Sequence, residues 1–180
     1  MRTHKLYKEQ LIKSDIDTVW DFFSSPENLD VLTPDNMGFE IKTPLPLPKM
    51  YQGQIIEYTV RPILNLPLFW RTEITEVENK KSFVDEQRKG PYKLWRHKHI
   101  FEVKEEGVRM VDNLEYSLPL GPLGFLAQML FVKNRIQEIF DFRYNQIDKI
   151  FNKSESTDYG AETSSIQRGS TYKAAINIRS

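Results

Sequence analysis

A chain of 180 residues with 25 basic and 25 acidic side chains and no cysteine rules out several kinds of chemistry at once. Without thiols there are no disulfides, no thiolate metal sites and no cysteine nucleophile; with a formal net charge of zero, no global field draws the protein to nucleic acid or to an anionic membrane. The length favours one domain able to bury a core, and 39% hydrophobic against 28% charged residues is an ordinary globular balance.

The N-terminal MRTHKLYKEQLIKSD lacks the apolar run of a signal peptide, so a cytoplasmic protein is expected. HKLYKEQLI suits a strand. Ser14 is placed to cap a helix, with Asp17 three residues on, and Ile16, Val19, Trp20 and Phe23 recur on one helical face. Pro26 stops that helix and opens a second short one, which Pro34 ends. From Phe39 to Pro119 short β-rich runs alternate with turn signals at roughly ten-residue spacing, the pattern of an antiparallel sheet. The runs are FEIKT, GQIIEYTVRPI, LFWRTEITEVE, SFVDEQR, YKLWRHKHIFEVK and GVRMVDNLEYSL. A long helix is expected from about Leu123 to Phe151, with Leu126, Met129, Leu130, Ile136, Ile139, Phe140, Ile147 and Ile150 returning to one side. Its apolar start, FLAQMLFV at 125–132, is too short to span a bilayer. Residues 152–180, poor in apolar side chains, read as a mobile tail outside a domain of residues 1–151.

The elements therefore run strand, two short helices, a curved antiparallel sheet and one long helix: an α+β architecture with six to seven strands in all. This order, with the strings DEQRKGPYKLWRHKHIFE, VDNLEYSLPLGPLG and FDFR at 140–143, resembles the helix-grip fold of the START-like superfamily. Within it the chain is similar to the bacterial ligand-binding SRPBCC family, relatives of polyketide cyclases and coenzyme Q-binding proteins. The resemblance covers residues 3–151. It implies a cavity between sheet and long helix that takes a hydrophobic small molecule: a lipid, isoprenoid, quinone or polyketide-like compound.

Two of the three histidines, His97 and His99, lie in RHKH. Strand alternation puts Trp95, His97, His99, Phe101 and Val103 on one face and the charged Arg96, Lys98 and Glu102 on the other. The same alternation groups Phe83, Asp85 and Gln87 in the preceding run, and Met110, Asp112, Leu114 and Tyr116 in the following one. Three uses of these polar groups remain open. They can form an internal hydrogen-bonded network, since unpaired buried polar groups cost about 1–3 kcal/mol each. They can orient a bound ligand in an apolar pocket. Or His97 and His99, with Asp85 or Asp112, can act as acid and base in a cyclase, dehydratase or hydrolase, or as a two-histidine, one-carboxylate metal site. No nucleophile motif or Gly-rich phosphate loop supports an enzyme, and no cofactor or resident metal is expected.

The expected ligand contacts are Trp70, Trp95, Phe101, Met110, Leu114, Met129 and Phe140 for the walls, with Trp20 beside them. Asp85, Gln87, His97, His99, Asp112 and Tyr116 are the expected orienting groups, and Arg143 reads either as a cation for an acidic headgroup or as the partner of an acid such as Asp112. The locally basic RKGPYKLWRHK reads as a solvated strand face opposite Glu86 and Glu115, not a nucleic-acid surface. The 125–132 run offers a face for a weak dimer or a transient membrane contact, with Gly121 and Gly124 as hinge points; a monomer or weak dimer is expected.

Overall fold

The structure, a computed structural model, describes residues 3–61, 66–119 and 122–153, and for 122–130 the backbone alone. The chain opens with β1 (His4–Ile12), then helix α1 (Ile16–Phe23) and short 3-10 turns at Pro26–Leu29 and Asp35–Met37. Six further strands follow: β2 (Glu40–Ile41), β3 (Ile55–Val60), β4 (Leu68–Glu78), β5 (Ser82–Lys89), β6 (Leu94–Lys104) and β7 (Gly107–Ser117). The long helix α2 (Pro122–Ile147) ends in a wider turn, Asp148–Asn152, closed by Lys153 N–H donating to the Asp148 carbonyl at 3.0 Å. The segment expected as a tail lies outside the described residues from 154 onward, as does Gly121. Gly124 falls within α2.

The helix cap expected at Ser14 falls one residue later. Asp15 has extended backbone, and its carboxylate accepts from Thr18 N–H at 2.8 Å and from the Thr18 hydroxyl at 2.8 Å. Ser14 instead belongs to the turn out of β1, where its N–H donates to the Ile12 carbonyl at 2.9 Å. Pro26 does open the next helical turn, where its missing N–H costs nothing.

The seven strands form one antiparallel sheet in the order β1-β7-β6-β5-β4-β3-β2. The connection from β1 to β2 carries the chain from one edge of the sheet to the other, which sets α1 and the 3-10 turns across its open end. Helix α2 is fastened along β1 by an ion pair between Lys8 and Asp141 at 2.6 Å. Gln10 Nε2 adds a hydrogen bond to the Tyr144 carbonyl at 3.0 Å, and Asn152 Nδ2 one to the Leu11 carbonyl at 2.9 Å. Two apolar clusters join sheet and helix. One gathers Ile12, Val19, Phe23, Phe83, Phe101, Val108, Met110 and Ile147; the other gathers Leu114, Tyr116, Ile136 and Phe140. Among the described residues no helix is long and apolar enough to cross a membrane.

Candidate functional site

Pairing across β5, β6 and β7 builds the polar centre. The β6–β7 register runs unbroken from Leu94 opposite Ser117 to Lys104 opposite Gly107. It sets His97 beside Leu114 and His99 beside Asp112, while Asp85 of β5 stands opposite His97. The register shifts of this sheet fall between β4 and β5, at Arg71/Thr72 and Ile74/Glu76, so the histidine strand keeps its alternation. His97 and His99 are 4% and 2% exposed on the face toward α2. Arg96, on the opposite face, pairs with Glu76 at 2.9 Å and Glu86 at 3.4 Å, as a solvated strand face does.

The two imidazoles stand between two carboxylates, their ring centroids 3.9 Å apart. His97 Nε2 lies 3.0 Å from Asp112 Oδ1, and His99 Nε2 lies 3.1 Å from Asp85 Oδ2, both in hydrogen-bond geometry. An ionised carboxylate only accepts, so a ring nitrogen bonds to one only where it carries the proton. The other two nitrogens also face carboxylates: His97 Nδ1 is 3.4 Å from Asp85 Oδ2, and His99 Nδ1 is 2.9 Å from Asp112 Oδ1. Arg143 reaches in from α2, its Nη2 3.5 Å from His99 Nδ1.

Burial and partners pull these groups in definable directions. Burial lowers the pKa of His97, and the neighbouring His99 ring adds to that, against the pull of Asp112 and Asp85. His97 is therefore neutral at pH 7. Burial pushes Asp112 up, but the Arg143 charge and the hydrogen bonds from His97 and His99 win and hold it well below the usual carboxylate range. For Asp85 burial again pushes up, and the His99 hydrogen bond with the surrounding positive groups more than offsets it.

A cavity of about 170 Å³ opens between the sheet, the short helices and α2. Asp85, His97, His99 and Arg143 form one wall, with Phe83 stacked on His99 at 4.2 Å. The opposite end is aromatic: Trp70 stacks on Tyr58 at 5.8 Å and meets Trp95 edge-on at 5.1 Å. Three N–H donors on this lining, Trp70 Nε1, Arg135 Nε and Arg143 Nε, are buried without a hydrogen-bond partner among the described residues. Burial also raises the Tyr58 and Tyr92 phenols, so both remain neutral donors.

Of the residues expected at the ligand, Trp70, Asp85, Trp95, His97, His99, Phe140 and Arg143 line this cavity. The others do not. Gln87 is consumed by the β5–β6 turn: its Nε2 donates to the Tyr92 carbonyl at 2.6 Å, and its Oε1 accepts from Tyr92 N–H at 3.2 Å. Asp112 sits behind the histidines, on a small pocket shared with Lys8 and Tyr144. Phe101 and Met110 belong to the first apolar cluster, where Trp20 meets Phe101 edge-on at 5.7 Å. Leu114 and Tyr116 belong to the second. The Met129 side chain lies outside the described residues. Val103, grouped with the inner face, is 67% exposed because β6 runs past the edge of the core there. In the apolar 125–132 run, Phe131 is exposed and Val132 packs on the second cluster.

Sequence reasoning missed the far half of the wall: Ile56, Tyr58 and Val60 of β3, Thr72 and Ile74 of β4, and Arg135 and Ile139 of α2. The alternation of IIEYTV and the helical spacing of Arg135, Ile139 and Arg143 carried that signal. The short-helix contribution, including Phe22, Leu29 and Leu32, had no local signature.

No protein-family model matches the chain. No curated protein matches it either. Solved structures do. The fold is a helix-grip fold. TTHA0849 from Thermus thermophilus is 16% identical, with 81% of this chain and 95% of that one covered at a TM-score of 0.62. Protein CV1439 from Chromobacterium violaceum is 9% identical, covering 83% and 98% at 0.62. The major latex-like protein 151 of Panax ginseng is 15% identical, covering 83% and 97% at 0.59. At these identities the likeness concerns the path of the backbone, and the chemistry rests on the residues of this chain.

Proposed function

We propose that the protein binds a small hydrophobic molecule with a ring-like core in the cavity between sheet and long helix, without transforming it. The observation that carries this reading is the combination of an aromatic-lined cavity with orphan donors on its surface. Ligand pockets are mostly apolar with a few placed polar groups. An indole N–H left without a partner costs about 1–3 kcal/mol, which a ligand carbonyl or oxyanion recovers. The volume, near the ~150 Å³ that accepts benzene in an engineered cavity, suits a ring better than a folded acyl chain. Among hydrophobic classes this favours quinone-like and polyketide-like molecules, whose carbonyl oxygens supply the acceptors that Trp70 and Arg143 lack.

The test is native mass spectrometry of gently purified protein against its denatured mass, with displacement of the apolar fluorophore N-phenyl-1-naphthylamine as a second readout. A retained organic adduct, or probe binding weakened by Ile139→Trp, supports the reading. A bare mass together with no probe binding sinks it.

A second reading is an enzyme of cyclase, dehydratase or hydrolase type, favoured by one observation: neutral His97, oriented by Asp112, faces the cavity. His97→Gln would then preserve ligand binding and abolish turnover of the bound compound; unchanged turnover eliminates it.

A further inference from the structure

We infer that Asp85, His97 and His99 form a binding site for one divalent first-row transition ion, zinc or ferrous iron, in the cavity wall, with Asp112 as the group that orients both imidazoles. The inference starts from the spacing of donor atoms. Four imidazole nitrogen to carboxylate oxygen distances, 3.4, 3.0, 3.1 and 2.9 Å, link the two histidines to the two aspartates. A neutral imidazole carries one N–H and one lone pair, and an ionised carboxylate carries no proton. Each ring that is neutral therefore sets one nitrogen lone pair against a carboxylate oxygen, in a place where His97 and His99 are almost fully buried.

One dication, with the proton of His99 on Nδ1, resolves all four. His97 Nε2–H keeps its bond to Asp112. His99 carries its proton on Nδ1, which lies 2.9 Å from Asp112 Oδ1. His97 Nδ1, His99 Nε2 and Asp85 Oδ2 then all present lone pairs to one point. Asp85 Oδ2 is 3.4 Å from His97 Nδ1 and 3.1 Å from His99 Nε2. Bonds of about 2.0–2.1 Å place tetrahedral ligand atoms about 3.3 Å apart, close to the two distances from Asp85 Oδ2. One donor atom from each of the three residues lies within 4.8 Å of the others.

The outer groups fit as well. A histidine ligand usually gives its second ring N–H to a carboxylate, which holds the ring and strengthens its donor nitrogen; Asp112 offers that to both rings. Arg143 lies near His99 Nδ1, on the Asp112 side of the rings, and balances the Asp112 charge while Asp85 keeps its own for the metal. All three ligating residues line the cavity, so the remaining coordination positions open to it. Two imidazoles, one carboxylate and open positions suit zinc or ferrous iron.

This site does not depend on the apolar ligand, and the two ideas fail separately. Zinc uptake without binding of N-phenyl-1-naphthylamine would sink only the cavity reading; probe binding without zinc uptake would sink only the metal site. The experiment is calorimetric titration of chelator-stripped full-length protein with zinc chloride, metal content by mass spectrometry, and visible absorption of the cobalt(II) form. Expected are one ion per chain and cobalt d–d bands. Asp85→Asn, nearly isosteric, should weaken zinc binding at least a hundredfold. Asp112→Asn should weaken it about 10–100-fold by loosening the rings. Glu86→Gln, whose carboxylate pairs with Arg88 and Arg96 on the other face, should leave it unchanged. No stoichiometric uptake by the parent overturns the inference. So does uptake that neither Asp85→Asn nor Asp112→Asn diminishes, with circular dichroism confirming that the variants fold.

Discussion

His97 Nε2 stands 3.0 Å from Asp112 Oδ1, and this pair joins the cavity wall to the layer behind it. Removing one partner of a buried pair leaves the other uncompensated. Asp112→Ala strands the His97 N–H and the Arg143 charge together and should cost about 3–5 kcal/mol. Asp112→Asn keeps an acceptor and should cost about 1–3 kcal/mol. Urea unfolding measures both; equal losses would mean that the carboxylate charge has no role in holding this layer.

The pH dependence follows from the same cluster. His97, Asp85 and Asp112 all have folded pKa values below their unfolded ones. The unfolded chain thus binds more protons in each window, and stability rises with pH there. With a chelator present, stability should be complete above about pH 6.5, where unfolded histidine is neutral. It should fall first as His97 is forced to charge, then below about pH 4 as the aspartates protonate. His97→Gln should flatten the upper part of that fall. A thermal-unfolding series from pH 8 to pH 3 in which the parent and His97→Gln run parallel would refute this.

Trp70→Phe deletes an indole N–H that has no partner among the described residues. Deleting an orphan donor removes its desolvation penalty and leaves a small gap in packing, so apo stability should change by less than about 1 kcal/mol. Affinity for a carbonyl-bearing ring compound should drop about tenfold, the worth of about one hydrogen bond. If binding of 1,4-naphthoquinone, used as the test compound, is indifferent to the change, the indole is not a ligand contact.

Gln87→Ala should cost about 1–3 kcal/mol, because two hydrogen bonds to the Tyr92 backbone are lost. It should leave N-phenyl-1-naphthylamine affinity unchanged. A large loss of probe affinity with intact stability would return Gln87 to the cavity.

At the start of α1, Asp15→Ala should cost about 1 kcal/mol and Ser14→Ala much less, since Asp15 caps the helix through Thr18 N–H. Equal effects in urea unfolding would remove that distinction.

Local pattern carried the elements of this protein. Alternation determined that Trp95, His97, His99 and Phe101 share one face of β6, and it holds because no bulge interrupts β6 against β7. Helical spacing determined that Ile136, Phe140 and Arg143 share a side of α2, and the composition excluded thiol chemistry outright. Tertiary structure alone decided which members of a face meet open space. His97 and Met110 both lie on inner faces, yet His97 lines the cavity, whereas Met110 is sealed in a core with Val19 and Phe23 because α1 closes over that end. Gln87 follows the period of its strand, but the turn that follows it claims its amide. Periodicity is a property of a few neighbouring residues; membership of a cavity wall depends on sheet curvature, on where the short helices cross, and on which nearby backbone groups need a partner first.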